Sequence, residues 1–155
     1  MNENEQRAAV VAEALTWQTT PYHPSAQIKG AGVDCLTLLV ATFTAVGLIR
    51  DVEVPYYPND YMHHRDAEQY LEGLLQYTTE IDGPPLPGDI ALWKFGRCYS
   101  HGAIVVAWPT VVHACAGRNV STDDAEAAAW LTHVGENTAD RGRPRLKKFF
   151  SYWPT

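Results

Sequence analysis

The sequence is poor in cysteine: three in 155 residues, with no pair in C-x-x-C spacing. An odd, scattered set excludes a disulfide framework and a zinc knuckle, and fits a reducing place of synthesis. Positive charge is also scarce. Twelve Lys and Arg against 18 Asp and Glu give a net charge of −6, which excludes duplex nucleic acid as an expected partner, because phosphate neutralisation drives that binding. No apolar run approaches membrane-spanning length. The start, Met1-Asn2-Glu3-Asn4-Glu5, is acidic and polar, unlike a secretory signal. The expectation is synthesis in the cytoplasm without a signal peptide, so that any action outside it needs another carrier. Internal repeats and low-complexity tracts are missing. With 46% hydrophobic and 19% charged residues, the chain is globular rather than disordered, and its length fits one domain over residues 1–155.

Apolar residues at helical spacing (Ala8, Val11, Ala12, Leu15) predict an amphipathic helix from about Glu5 to Trp17, ending before Thr20-Pro21. A second helix, from about Cys35 to Val46, is apolar almost all round and reads as the central buried one. Gly47 is its natural C-cap. A Tyr/Pro-rich connection follows from Asp51 to Tyr61, then helical spacing from Asp66 to about Tyr77; together they form an insertion at about 51–83. After Asp82-Gly83-Pro84-Pro85 the period becomes that of strands: Asp89–Phe95, His101–Ala107 and Thr110–Cys115. A helix from Thr122 or Asp123 to about His133 and a last strand within Arg145–Trp153 complete the pattern. Helices first and a strand meander afterwards predict an α+β fold, its antiparallel sheet packed on the Cys35 helix.

The stretch Gly30-Ala31-Gly32-Val33-Asp34-Cys35 delivers a cysteine onto the first turn of that helix. Unpartnered N–H groups and the helix dipole favour a thiolate there, and could later hold an oxyanion. Asp34 occupies the capping position. Free cysteine is equally at home as a small buried hydrophobe, so the thiol needs a base. His101 and His113 are the candidates. If the turn between their strands has three residues centred on Trp108, Ile104 faces Val112 and Ala103 faces His113. The two imidazoles then share a face as diagonal neighbours, with backbones roughly 7–8 Å apart; a two-residue turn would put them on opposite faces. On a shared face, His101 can take the Cys35 proton and His113 can orient His101. Two strand histidines taken alone are as readily satisfied polar residues or metal ligands.

The order and setting of Cys35, His101 and His113 resemble the NlpC-type papain-like cysteine peptidases. The matching pieces are Thr20-Pro21-Tyr22, Gly32-Val33-Asp34-Cys35, Pro87-Gly88-Asp89-Ile90, His101-Gly102-Ala103-Ile104-Val105-Val106 and Val111-Val112-His113-Ala114. The Tyr/Pro-rich connection and added helix resemble the branch encoded with phage tails. The resemblance implies a papain-like fold and cleavage of peptidoglycan stem peptides, at the bond between γ-D-glutamyl and a diamino acid. It implies Cys35 as nucleophile, His101 as base, His113 as orienter, and Tyr22 and Asp34 as substrate-binding residues. It implies no metal or organic cofactor. Other tail proteins are implied as partners, with action in a virion or at the cell wall. The family's Ser-Gly after Asp-Cys is here Leu36-Thr37, which removes a polar group from the site wall. Two other functions use the same frame: a non-catalytic tail assembly component, and an amidase or acyltransferase on Cys-His chemistry.

The remaining candidates read as structural. His63-His64, beside Asp60 and Asp66, point different ways and fit a solvated loop better than a metal site. Cys98 and Cys115 are expected to pack, although Cys115 falls opposite His101 and is the one competing nucleophile. His23 is an exposed loop histidine, the basic run Arg141–Lys148 is a solvated segment, and Trp93 is core or the aromatic wall of a groove.

Overall fold

The protein is described by a computed structural model covering residues 1–54, 69–135, 139 and 141–154. His63-His64, Asp60 and Asp66, and most of the Tyr/Pro-rich connection, lie outside the described residues. Helix α1 (Glu3–Leu15) starts at a capping box: the Glu5 N–H donates to Asn2 Oδ1 and the Asn2 N–H to Glu5 Oε2. The short strands β1 (Gln27–Ile28) and β2 (Gly32–Val33) form a hairpin that leads into α2 (Cys35–Ala45). Gly47 closes α2 at φ +81°, the left-handed conformation that ends many helices. Helix α3 is described over Gln69–Leu75 and is followed by β3 (Thr79–Ile81). Strands β4 (Ile90–Phe95), β5 (Cys98–Ala107), β6 (Thr110–His113), β7 (Ser121–Asp124) and β8 (Lys147–Ser151) build the rest of the sheet, and the short helix α4 (Ala129–Thr132) lies between β7 and β8.

The sheet is six-stranded and antiparallel throughout, in the order β3-β8-β4-β5-β6-β7. Period-two alternation sorts its side chains. Ile90, Leu92, Ile104, Val112 and Phe150 face α1 and α2 in the main core; Ala91, Trp93, Ala103, Val105 and Val111 face a second, smaller core closed by Leu131 of α4. The α+β architecture is the one the sequence predicts. Where a helix is expected from Thr122 or Asp123, however, the chain first forms β7. Ser, Thr and Asp are weak helix formers, and the open edge of β6 offers Ser121–Asp124 a ladder in which His113 pairs with Ser121.

The turn on which the shared histidine face depends is also shorter than expected. Ala107 pairs with Thr110, leaving two residues, Trp108-Pro109, which are joined by a cis peptide. One residue of β5, Val106, then bulges out of the ladder, and the pairs Val105–Val111 and Ile104–Val112 recover the predicted register. The bulge does what a third turn residue would have done.

Candidate active site

Cys35 opens α2, and its surroundings are built by Asp34. Asp34 Oδ1 accepts from the N–H groups of Leu36 (2.9 Å) and Thr37 (2.8 Å), and Oδ2 from that of Ser25 (2.8 Å). Thr37 completes a capping box: its Oγ1 accepts the Asp34 N–H at 2.9 Å and donates to Ala26 O at 2.6 Å. The hydroxyl at this departure from the family pattern therefore ties the helix tip to the loop after Tyr22. Gly32 lets that loop approach, since a Cβ there would stand 2.9 Å from His23 Cβ. The expected free N–H groups at the tip are thus partly spent. Those of Leu36 and Thr37 are bound to a carboxylate rather than open to an oxyanion.

Cys35 is 7% exposed, and its Sγ donates to the carbonyl of Ser100 at 3.5 Å. That carbonyl is available because β5 bulges at Ser100: Trp93 pairs with His101 but Lys94 with Tyr99. The hydroxyl of Tyr70, from α3, donates to Cys35 O at 3.3 Å, and Gly102 leaves room for that ring on β5. Burial pushes the Cys35 thiol up to about 12, and the Asp34 carboxylate adds to the rise. This corrects the expectation of a thiolate at the helix tip. Desolvation and the nearby carboxylate outweigh the helix dipole, so the resting group is a thiol.

His101 and His113 share the sheet face of the second core, with His101 Nε2 and His113 Nδ1 2.9 Å apart. His113 Nε2 lies 2.7 Å from Asp123 Oδ2, and a carboxylate only accepts, so Nε2 carries the hydrogen. Burial, with the charge on Arg118 adding, holds His113 below the usual histidine range in spite of Asp123. Burial, then the neighbouring His113 and Arg145, lower His101 to about 3. Both rings are therefore neutral at physiological pH. The hydrogens are fixed in sequence: His113 donates to Asp123 through Nε2, His101 donates to His113 through Nε2, and His101 Nδ1 is left as a bare lone pair. Aromatic rings enclose the pair. Trp130 of α4 stacks on His113 with centroids 5.5 Å apart, and Phe95 meets His101 edge-on at 5.4 Å. Among the described residues no hydrogen bond joins Cys35 to His101. Cys115 Sγ lies against both imidazoles, at 3.4 Å from His113 Nδ1 and 3.8 Å from His101 Nε2.

Tyr22 is half-buried and bridges Val33 of β2, while Pro21 before it bridges Asn119 and the Val120 N–H donates to Thr20 O. Burial, with the Asp34 carboxylate adding, raises its phenol above the ordinary range. Asp34 is buried beneath the tip with its oxygens committed to backbone N–H groups. Its charge nevertheless reaches Cys35 and Tyr22. Trp93 is 1% exposed and packs against His101 from below, so it is core and not the wall of a groove. Cys98 is buried and His23 exposed, as expected. The basic run divides: Arg141 and Arg143 are exposed, while the Arg145 guanidinium lies 3.7 Å from the Phe95 ring centre beside the histidines. Asp123, Tyr70 and Ser100 are the site neighbours that sequence reasoning missed. Asp123 had a signal in the alternation Ser121-Thr122-Asp123-Asp124, since the diagonal rule that joins His101 to His113 also joins His113 to Asp123.

No protein-family model matches the sequence, and no curated protein matches it. Solved structures do match in fold. One is the NlpC/p60 domain of the peptidoglycan hydrolase SagA, at 22% identity and a TM-score of 0.59, over 79% of this chain and 92% of that one. Another, from Staphylococcus aureus subsp. aureus Mu50, is described as similar to lipoprotein and of the NLP/P60 family. It matches at 20% identity and a TM-score of 0.56, over 83% of this chain and 39% of that one. Six antiparallel strands packed on a helix that begins with Cys35, together with the likeness to these neighbours, give the chain the α+β, papain-like fold of NlpC/p60 domains.

Proposed function

We propose that this protein is a cysteine endopeptidase of peptidoglycan stem peptides, cutting between γ-D-glutamyl and a diamino acid, and that it is carried by a phage tail. The observation that carries the reading is the Asp123–His113–His101 relay, which leaves an open lone pair on His101, between the two residues, Ser100 and Gly102, that touch Cys35. Ser100 accepts from the Cys35 thiol and the Gly102 N–H lies close enough to lower its pKa. The peptidoglycan hydrolase named among the fold neighbours supports the substrate class.

The reaction starts from neutral partners. Cys35 turns its S–H from Ser100 O to His101 Nδ1 and passes the proton as sulfur attacks the peptide carbonyl. The imidazolium that forms is held by His113, whose far side is anchored on Asp123. It then returns the proton to the leaving amine, and water frees the acyl group from sulfur with His101 again as base. Tyr22 and the field of Asp34 favour a free ammonium group of the stem peptide beside the nucleophile. Purified protein incubated with muropeptides should give cuts detectable by mass. Cys35→Ala should lower the rate by at least about a thousand-fold, whereas Cys115→Ala should keep it. Full activity in Cys35→Ala would end the reading, and loss in Cys115→Ala alone would move the nucleophile there. The alternative of a tail assembly component with an idle site has one observation in its favour: the resting thiol is bonded to a backbone carbonyl and not to the imidazole.

A further inference from the structure

The unused member of this cluster is Cys115. His101 Nε2, His113 Nδ1 and Cys115 Sγ lie 2.9, 3.4 and 3.8 Å apart, all within 4.8 Å of one another. A tetrahedral zinc ion with ordinary bond lengths would hold two nitrogens about 3.3 Å apart and each nitrogen about 3.6 Å from sulfur. The triangle is thus within about half an ångström of a three-ligand zinc site. A carboxylate already stands behind one of the rings. Asp123 fixes the hydrogen of His113 on Nε2, so Nδ1 points inward as a lone pair, the arrangement that ligating histidines share with a partner carboxylate. Two rings from paired strands and a thiol two residues beyond the second ring are a rigid donor set, since β5 and β6 are held by their ladder.

We propose that His101, His113 and Cys115 form a binding site for a zinc-class divalent cation, and that the bound ion blocks the hydrolytic site. On binding, the Cys115 thiol loses its proton to solvent and its sulfur bonds the metal. The hydrogen between the rings moves from His101 Nε2 to His101 Nδ1, so that both inward nitrogens become donors to the metal. One proton is released per ion, and the thiolate together with Asp123 balances the dication. The cost falls on catalysis. His101 Nδ1 now carries a hydrogen and cannot accept one from Cys35, and the bond from His101 to His113 is gone. The block rests on the peptidase reading; the binding does not.

Cobalt(II) titrated into the full chain should produce a thiolate-to-metal charge-transfer band that saturates at one equivalent and is displaced by zinc. Cys35→Ala should keep the band and Cys115→Ala should lose it, with circular dichroism showing both variants folded. Asp123→Ala should weaken the metal about 10- to 100-fold. No band in the wild type, a band retained in Cys115→Ala, or one lost in Cys35→Ala overturns the site. In the muropeptide assay, zinc should inhibit the wild type and spare Cys115→Ala; equal inhibition of both overturns the block. If the metal-free wild type cuts nothing while the band behaves as stated, the peptidase reading fails and the metal site stands.

Discussion

The chemistry at the scale of single residues turns on hydrogens that Asp123 assigns. With a carboxylate at His113 Nε2, every later hydrogen in the relay is determined, and the lone pair emerges on His101 Nδ1. Asparagine at 123 has nearly the same shape but can present an N–H to His113. His113 would then accept at Nε2, donate from Nδ1 to His101 Nε2, and leave the hydrogen of His101 on Nδ1, where the proposed mechanism needs a base. Asp123→Asn should therefore lower kcat by roughly 10³- to 10⁴-fold, as wrong-tautomer substitutions do in catalytic triads. KM should change little, because no substrate contact is removed. Asp123→Ala, which imposes no tautomer, should be the milder change. Steady-state rates on a defined stem peptide test the order, and a reversed order removes Asp123 from the relay.

At the scale of elements, a buried ion pair fastens α1 to the sheet. Arg7 Nη1 donates to Asp89 Oδ1 at 2.9 Å and to Pro87 O at 3.0 Å, its Nη2 donates to Ser151 Oγ, and its guanidinium stacks over Trp153 at 4.1 Å. Asp89 is the acidic residue of Pro87-Gly88-Asp89, so that motif clamps α1, β4 and β8 together at a distance from the relay. Asp89→Ala leaves a buried guanidinium uncompensated and should cost about 3–5 kcal/mol, or roughly 10 °C in Tm for a chain of this size. The apolar pair Arg7→Met with Asp89→Leu should recover most of that loss, but not the bond from the Leu86 N–H to Asp89 Oδ2. Thermal unfolding of both variants decides it; a double variant no more stable than the single one would show that the pair is not the source. Elements whose signal is local were legible in the sequence. Cys35–Ala45 announces itself by an apolar run between a capping Asp34 and Gly47, and His101–Ala107 by alternation. What stayed hidden was set by neighbours. Ser121–Asp124 became a strand because β6 offered it an edge, and the histidines share a face because a bulge at Val106 offsets a turn one residue short. The state of Cys35 was misread for the same reason: the thiol responds to burial and to the charge of Asp34, and one-dimensional spacing carries neither.

The scale of the whole molecule is where the neutral histidines act on stability. His101 titrates at about 3 in the fold against an ordinary value of 6.5, and His113 is shifted in the same direction. Between those limits the unfolded chain binds a proton that the native one refuses, so stability falls as pH drops below 6.5 and continues to fall towards 3. At about pH 5, where most carboxylates are still ionised, His101 alone should cost the fold about 2 kcal/mol relative to neutral pH. That is a sizeable fraction of the roughly 5–15 kcal/mol that holds a domain together. The second core feels it directly, because His101 on β5 is bounded by Trp93 and Phe95 on one side and by Trp130 of α4 on another. Urea denaturation midpoints at about pH 7 and pH 5 should therefore differ clearly in the wild type and much less in His101→Gln, which keeps a polar side chain but cannot take up the proton. The residual slope in that variant belongs to His113 and should shrink further in His113→Gln. Parallel slopes in wild type and His101→Gln would mean that the imidazole already exchanges protons with solvent in the native state. The enclosure of the relay by its aromatic rings would then not be the closed chamber from which the neutral resting site has been derived.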